Sequence, residues 1–244
     1  MTHPNQARAF TLVEIIVVVA LLALLAAMLF PAFASARAKA REASCVSNLR
    51  QIGMGISLYA RDFDDFYPRG TDTAERLAAT EPPNPPEAMS SLPLLRDVLQ
   101  PYLPPRAVWH CPSDTGWKRA GSAYYDSNGA LASLPQCDSA FERFGTSYNY
   151  RVNLGLQRVR YPAHAYSFAK PPNTPGEISS SEVGVMSDMT GNWHGGTDFG
   201  SESSILLFAD GHVKRQLRIS QLMAAWLLPL RVEDAATGGE GDSS

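Results

Sequence analysis

The sequence has no surplus of positive charge: 21 Lys+Arg stand against 24 Asp+Glu, a formal net charge of -3 at pH 7. That balance excludes nucleic acid as a main partner, because phosphate binding needs a concentrated excess of Lys and Arg. Long apolar runs are also missing, with one exception at the N-terminus, so the chain is not a polytopic membrane protein. Glycine, at 18 of 244 residues, is far too sparse for a collagen-like fibre, and an apolar content of 45% is too high for a wholly disordered chain. Nowhere does a Gly-x-Ser-x-Gly, a His-Glu-x-x-His or a phosphate-loop motif occur. The length allows one or two domains.

What is present begins with that exception. Every residue from Ile15 to Phe30 is apolar, and Glu14 stands immediately before the run. Three readings compete. A secretory signal peptide would use Arg8 as its positive region and Ala34-Ser35-Ala36 as its cleavage site, leaving Arg37 at the mature N-terminus of a soluble secreted protein. A plain transmembrane anchor would use residues 15–33, which at roughly 1.5 Å each reach about one hydrocarbon thickness. Neither accounts for Glu14, since a carboxylate in a membrane helix is costly and such residues tend to have partners.

The third reading does. Ala9-Phe10-Thr11-Leu12-Val13-Glu14 resembles the processing motif of type IV prepilins and type II secretion pseudopilins, commonly Gly-Phe-Thr-Leu-x-Glu, with Ala9 in place of the usual Gly. The resemblance implies that a prepilin peptidase cuts between Ala9 and Phe10 and that Phe10 is then N-methylated. It further implies that Glu14 neutralises the terminal amine of a neighbouring subunit's Phe10. Phe10 and Glu14 are four residues apart and so share a helix face. A buried amine and a buried carboxylate are each costly alone and much less so as a pair. Pro31 also falls where pilin helices commonly carry proline. Arg37, Lys39 and Arg41 follow the run while Arg8 precedes it, which by charge alone would put the N-terminus outside. The inward orientation follows from the resemblance instead.

Beyond Pro31 the pattern becomes that of an amphipathic helix. Cys45, Leu49, Ile52, Ile56, Tyr59 and Phe63 form one narrow apolar stripe. Gly53 and Gly55 are expected to weaken this helix by about 1 kcal/mol each relative to Ala. A helix from Phe10 to about Arg61 would be roughly 80 Å long. Asp62-Phe63-Asp64-Asp65-Phe66-Tyr67-Pro68 ends it. These carboxylates do not form an EF-hand, because Tyr67 and Thr73 occupy the places of the required Gly and Glu; a solvated acidic turn is expected. Thr80–Pro93 reads as a proline-rich surface loop, and Leu92–Leu103 as a short helix. Strands are expected at 146–150 and 182–188, the second with Val183 and Val185 on one face. Ile205–Ala209 and His212–Leu217 read as a hairpin whose Asp210-Gly211 turn favours type I′ geometry. Ser220 can cap a last helix over 221–228, and residues 234–244 read as a disordered tail.

Ser44–Gly53 resembles the Cys-x-x-Asn-Leu-Lys-Gln-Ile-Gly segment of a subgroup of prepilin-like proteins, and Tyr59–Pro68 resembles the stretch after the long helix in pseudopilin G-like proteins. The subgroup ends in a processing-associated domain with a His, nine residues, then Asp-Gly. Here His194 and Asp210-Gly211 are separated by fifteen residues, the extra ones falling in an inserted loop at 197–204. Three cysteines in a segment placed outside the cytoplasm favour one disulfide and one remaining thiol. Similar proteins carry both the helix Cys and the Cys-Pro-Ser Cys, which implies a Cys45–Cys111 bridge; Cys111–Cys137 is the alternative. His194, Asp210 and His212, with Asp188, invite a zinc or hydrolase reading, but Asp210 stands where a hairpin turn favours Asp. Trp109, Trp117, Tyr124, Tyr125 and Trp193 read as core and loop packing rather than a glycan-binding face.

The expectation is an α+β, pilin-like fold: a long N-terminal α-helix packed on a small antiparallel sheet with extended loops. Residues 1–9 would be the leader, 10–62 the stalk helix with 10–33 as its membrane and filament-core part, 63–233 an extracytoplasmic head and 234–244 the tail. The resemblance implies an assembly subunit, not an enzyme, with no cofactor and no bound metal. Its partners would be like subunits, the prepilin peptidase, the inner-membrane assembly platform and, before assembly, lipid. The alternative is a membrane-tethered extracytoplasmic module that never polymerises and binds a glycan or a metal through the loops around His194.

Overall fold

The architecture below is that of a computed structural model, which describes residues 12–72, 91–103, 106–116, 122–125, 131–134, 136–163, 165–167, 176–189, 193–194 and 203–216. Helix α1 runs from Leu12 to Asp62 with Pro31 inside it. The chain divides into two units, Met1–Ala40 and Arg41–Ser244.

In the first unit, no described side chain is buried, and large apolar ones such as Leu22 and Phe30 are 60% and 70% exposed. An 18-residue window of the helix reaches a mean hydropathy of 3.0. A helix that is apolar all round is built for an apolar surrounding, either lipid or other helices. Glu14 lies in the first turn, where a carboxylate complements the positive end of the helix dipole. The Arg37 guanidinium sits 5.1 Å from the Phe33 ring centroid.

In the second unit, the striped part of α1 buries Cys45, Leu49, Ile52 and Ile56. Gly53, Gly55 and Ala60 are buried beside them. The stripe stops there: Tyr59 is half-buried and Phe63 is 50% exposed, their rings stacked at 4.2 Å. The buried glycines change their meaning. A Cβ on Gly55 would lie 2.6 Å from Leu103 Cδ1, and one on Gly53 would lie 2.9 Å from Leu207 Cδ1. Both are close-approach positions, and the lost helix propensity is offset by packing. The helix ends on Asp64 and Asp65, which adopt left-handed φ values of 53° and 61°. Asp65 N–H donates to the Ala60 carbonyl at 2.8 Å, and Asp62 accepts from the Tyr102 hydroxyl at 2.7 Å.

Four antiparallel strands, β3 (Tyr148–Tyr150), β6 (Gly184–Asp188), β7 (Ser204–Phe208) and β8 (Val213–Gln216), form the main sheet in the order β3-β6-β7-β8. Two smaller pairs form separate sheets: β1 (Ser122–Tyr125) with β2 (Leu131–Leu134), ahead of it in sequence, and β4 (Ala165–Ser167) with β5 (Gly176–Ile178), between β3 and β6. Strand β7 separates its faces by alternation. Ile205 and Leu207 enter the main core with the helix stripe, while Leu206 and Phe208 form a second small cluster. Strand β6 does not show the expected alternation, because all five of its residues are buried and its register with β7 shifts between Gly184 and Met186. A bulge there leaves Val185 as the extra residue.

Two more expectations need correction. The helix expected over Leu92–Leu103 is a single turn, α2 (Leu95–Val98). Its start is tied down by Leu95 N–H donating to Thr71 and Thr71 N–H donating to Pro93. The hairpin turn is not type I′, which needs positive φ at two residues; among Ala209, Asp210 and Gly211 only Gly211 has it, at 87°. Leu207 pairs with Val213, and Gly211 N–H donates to the Phe208 carbonyl at 2.9 Å. The loop is therefore three residues long, a tight turn followed by a glycine bulge. Helix α3 (Ala140–Phe144) carries the clearest cap: Ser139 Oγ accepts from Glu142 N–H at 3.2 Å. A further single turn, α4 (Asn153–Leu156), follows β3. Residues 73–90, 117–121, the helix expected at 221–228 and the tail at 234–244 lie outside the described residues.

Candidate functional site

Two places hold the residues singled out in the sequence. The first is the helix N-terminus. Glu14 is exposed in the first turn of α1, while Ala9 and Phe10 lie outside the described residues.

The second place lies in the interior of the second unit, where four separate segments converge. The α1 stripe supplies Cys45, the segment after a short 3-10 turn (Arg106–Trp109) supplies Cys111, the end of β6 supplies Asp188, and residues 193–194 supply His194. Cys45 and Cys111 are joined in a disulfide with their Cα atoms 5.0 Å apart; Cys137 is outside it. His194 Nε2 lies 3.5 Å from Cys111 Sγ and 3.2 Å from Asp188 Oδ2. The His194 and Asp188 side chains are 1% and 0% exposed. One ring nitrogen thus faces both the sulfur and the carboxylate. This differs from a catalytic triad, in which the acid and the nucleophile occupy opposite nitrogens of the ring.

The surroundings hold these groups in place. Arg215 on β8 donates through Nη2 to the His194 carbonyl and to Ser203 Oγ, the latter at 2.9 Å, and its Nη1 is 3.5 Å from Glu42 Oε2 on α1. Ser203 Oγ donates to the same His194 carbonyl at 3.2 Å. Cys111 N–H donates to Ser147 Oγ at 3.1 Å, and that hydroxyl donates to Asp114 Oδ2 at 2.8 Å. Asp114 also accepts from the N–H groups of Gly116, Ala140 and Phe141. It organises the loop on which Cys111 sits, and nothing but its place in Cys-Pro-Ser-Asp marks it in the sequence.

Asp188 is a fully buried carboxylate. Burial pushes its carboxyl above the usual carboxylate range, opposed by His194, the Ser204 hydroxyl and the Ile205 N–H. Neither of its oxygens has a well-aligned hydrogen bond.

His194, Asp210 and His212 do not act as one site. Asp210 Oδ1 instead accepts from His212 N–H at 3.0 Å and lies 2.6 Å from its Nδ1, on the exposed hairpin turn. The His212 ring stacks on Phe208 at 4.3 Å. These contacts belong to the turn, with Gly211 supplying its left-handed residue. Among the described residues, the set of three ligand-type side chains whose donor atoms lie within 4.8 Å of one another is Cys45, Cys111 and His194. Trp109 and Trp193 are buried, the latter with its indole N–H donating to the Gly116 carbonyl at 3.4 Å.

Comparison with known proteins places the family signal at the helix. Residues 4–30 match the family described as "Prokaryotic N-terminal methylation motif", and residues 34–80 match the family described as "Protein of unknown function (DUF1559)". No curated protein and no solved structure matches significantly. Neither family match reaches His194, Asp210 or Gly211. The first match supports a pilin-type subunit processed by a prepilin peptidase, with pilin subunits and that peptidase as its general partners. With the apolar helix, it supports membrane anchoring through a single N-terminal span. Together the two matches support a pilin-like protein, with a prepilin-type N-terminal methylation motif on a long helix ahead of a small antiparallel sheet.

Proposed function

We propose that this chain is a structural subunit of a type IV pilus or of a type II secretion pseudopilus, and not an enzyme. Residues 1–9 are the leader, and cleavage between Ala9 and Phe10 exposes Phe10 for N-methylation. Residues 10–62 are the stalk, of which 10–33 hold the subunit in the inner membrane before assembly and form the filament core afterwards. Residues 63–233 are an extracytoplasmic head, and 234–244 its tail. The observation that carries the reading is a helix from Leu12 onward that buries no described side chain before residue 41, under a matching methylation motif. Such a surface is stable against lipid and equally stable against copies of itself, so the subunit can pass from one surrounding to the other.

The finer mechanism is electrostatic. Glu14 would face the Phe10 amine of a neighbouring subunit, and removing one member of a desolvated pair costs about 3–5 kcal/mol. Other partners are the inner-membrane assembly platform and the peptidase. The test joins intact mass with filament shearing. The native protein is expected to begin at methylated Phe10, and Glu14→Ala to be retained in membranes while disappearing from sheared filaments. A mature protein that begins at Arg37 or keeps residues 1–9 would defeat the proposal. A Glu14→Ala variant distributed like the natural chain would point to a tethered module that does not polymerise.

A further inference from the structure

The interior node of the second unit has the composition of a metal centre. Cys45, Cys111 and His194 bring their donor atoms within 4.8 Å of one another, all buried, and Asp188 adds a carboxylate oxygen 3.2 Å from His194 Nε2. In a tetrahedral zinc site, Zn–N and Zn–O distances of about 2.0 Å and a Zn–S distance of about 2.3 Å set the edges of the ligand tetrahedron. Those edges come to about 3.3 Å for N···O and about 3.5 Å for N···S. The structure has His194 Nε2 at 3.2 Å from Asp188 Oδ2 and at 3.5 Å from Cys111 Sγ. Two edges of such a tetrahedron are already in place.

Orientation carries the argument further than proximity. His194 directs the same nitrogen at both the sulfur and the carboxylate, an arrangement that suits a shared centre between them better than a relay through the ring. Asp188 is fully buried, and its carboxylate has only the His194 ring, the Ser204 hydroxyl and the Ile205 N–H near it, none in good hydrogen-bond geometry. A buried polar group in that condition is costly, and a cation at this point would satisfy it. In the disulfide the two sulfurs are bonded to each other and are poor ligands, so an ion and the disulfide exclude one another.

We propose that, when Cys45 and Cys111 are thiols, Cys45, Cys111, His194 and Asp188 bind one Zn2+ ion, and that the disulfide and the ion are alternative closures of the same node. A dithiol or phosphine reductant takes the disulfide to two thiols and is itself oxidised. The ion then displaces one proton from each thiol, giving two thiolate ligands. Either closure ties the α1 stripe to the Cys111 loop, and the ionic one ties both to the end of β6 and to residue 194. This inference is independent of filament assembly and concerns only the second unit.

The test uses the full-length chain in detergent, reduced with a phosphine in denaturant and refolded without oxygen. Co2+ serves as the spectroscopic probe and Zn2+ as the competitor. The reduced protein is expected to take up one equivalent of Co2+, with a thiolate-to-cobalt charge-transfer band and tetrahedral d–d bands, and to lose both when Zn2+ is added. The oxidised protein should show neither band. Asp188→Asn keeps the shape of the side chain but removes a charged ligand oxygen, and should weaken binding by more than about 10-fold, the least that loss of even an outer-shell partner costs. His194→Ala should weaken it at least as much, and Cys137→Ser should leave it unchanged. Alkylation read by mass spectrometry guards against misfolding: Zn2+ should protect Cys45 and Cys111 while Cys137 continues to react. A reduced natural chain without the charge-transfer band overturns the proposal, as does uptake indifferent to Asp188→Asn and His194→Ala or dependent on Cys137.

Discussion

The two parts of α1 are continuous in backbone and opposite in solvent. From Leu12 to Ala40 no side chain is buried, whereas between Arg41 and Asp62 the helix buries seven residues. The part with the denser apolar composition is the exposed one. Hydrophobicity therefore does not by itself mark a protein core; its distribution around the helix does. An apolar surface on every side needs a surrounding that is itself apolar on every side, while a narrow stripe between charged flanks needs one packed partner. In the second unit that partner is the sheet face carrying Ile205 and Leu207.

The contrast can be tested by breaking each part in turn. The largest effect is expected at the covalent staple. Cys45→Ser removes a bridge between residues 66 apart in sequence, and the loop-entropy relation puts the loss for such a loop at about 4 kcal/mol. Urea denaturation of the detergent-solubilised oxidised protein, followed by near-UV circular dichroism, should show the midpoint fall accordingly. Next comes the packed stripe. Ile52→Ala removes a fully buried side chain and should cost about 3 kcal/mol, since burial and cavity terms add. Leu22→Ala, at a position 60% exposed, should leave that midpoint unchanged. Equal losses at positions 22 and 52 would mean that the first part of the helix also serves as core, and the division drawn here would fail.

The helix is legible in the sequence and the interior node only in fragments, as the implied Cys45–Cys111 bridge and the mention of Asp188 with His194, for physical reasons that differ. Periodicity is a local signal, so α1 ends at Asp62 against an expected end near Arg61, and its buried residues include the stripe positions up to Ile56, joined by Gly53, Gly55 and Ala60. The hairpin was legible in place but not in turn type. Asp-Gly suits both a two-residue and a three-residue loop, and the choice follows from Leu207 pairing with Val213, a consequence of which residues face the core. The helix expected at 92–103 is one turn: its entry is pinned to Thr71, a contact between segments distant in sequence, and Pro101, which has no N–H to donate, stands just past its end. Cys45, Cys111, Asp188 and His194 come from four segments, and no spacing rule connects them. Only the β3-β6-β7-β8 order and the helix packed against it bring them together. His194 draws notice in the sequence for its distance from Asp210, yet its partner is Asp188.

The smallest and most discriminating effect concerns the two glycines of the stripe. By propensity alone, replacing either with Ala should stabilise the helix by about 1 kcal/mol. At Gly55 the new Cβ would meet both Cδ1 and Cγ of Leu103 at 2.6 Å. A branch carbon cannot swing aside without displacing its whole side chain, so strain of about 1–3 kcal/mol should exceed the gain. At Gly53 the nearest atoms are the two methyl tips of Leu207, at 2.9 and 3.3 Å, with Cγ at 3.7 Å. A small rotation accommodates them, and Gly53→Ala should come out near neutral. Denaturation midpoints of both variants check the order, and Leu103→Ala completes a double-mutant cycle. With the leucine shortened, Gly55→Ala should no longer destabilise and should recover its propensity gain. If Gly55→Ala stabilises the natural chain instead, the two glycines are only weak points in a helix, and the close approach that distinguishes the second part of α1 from the first does not exist.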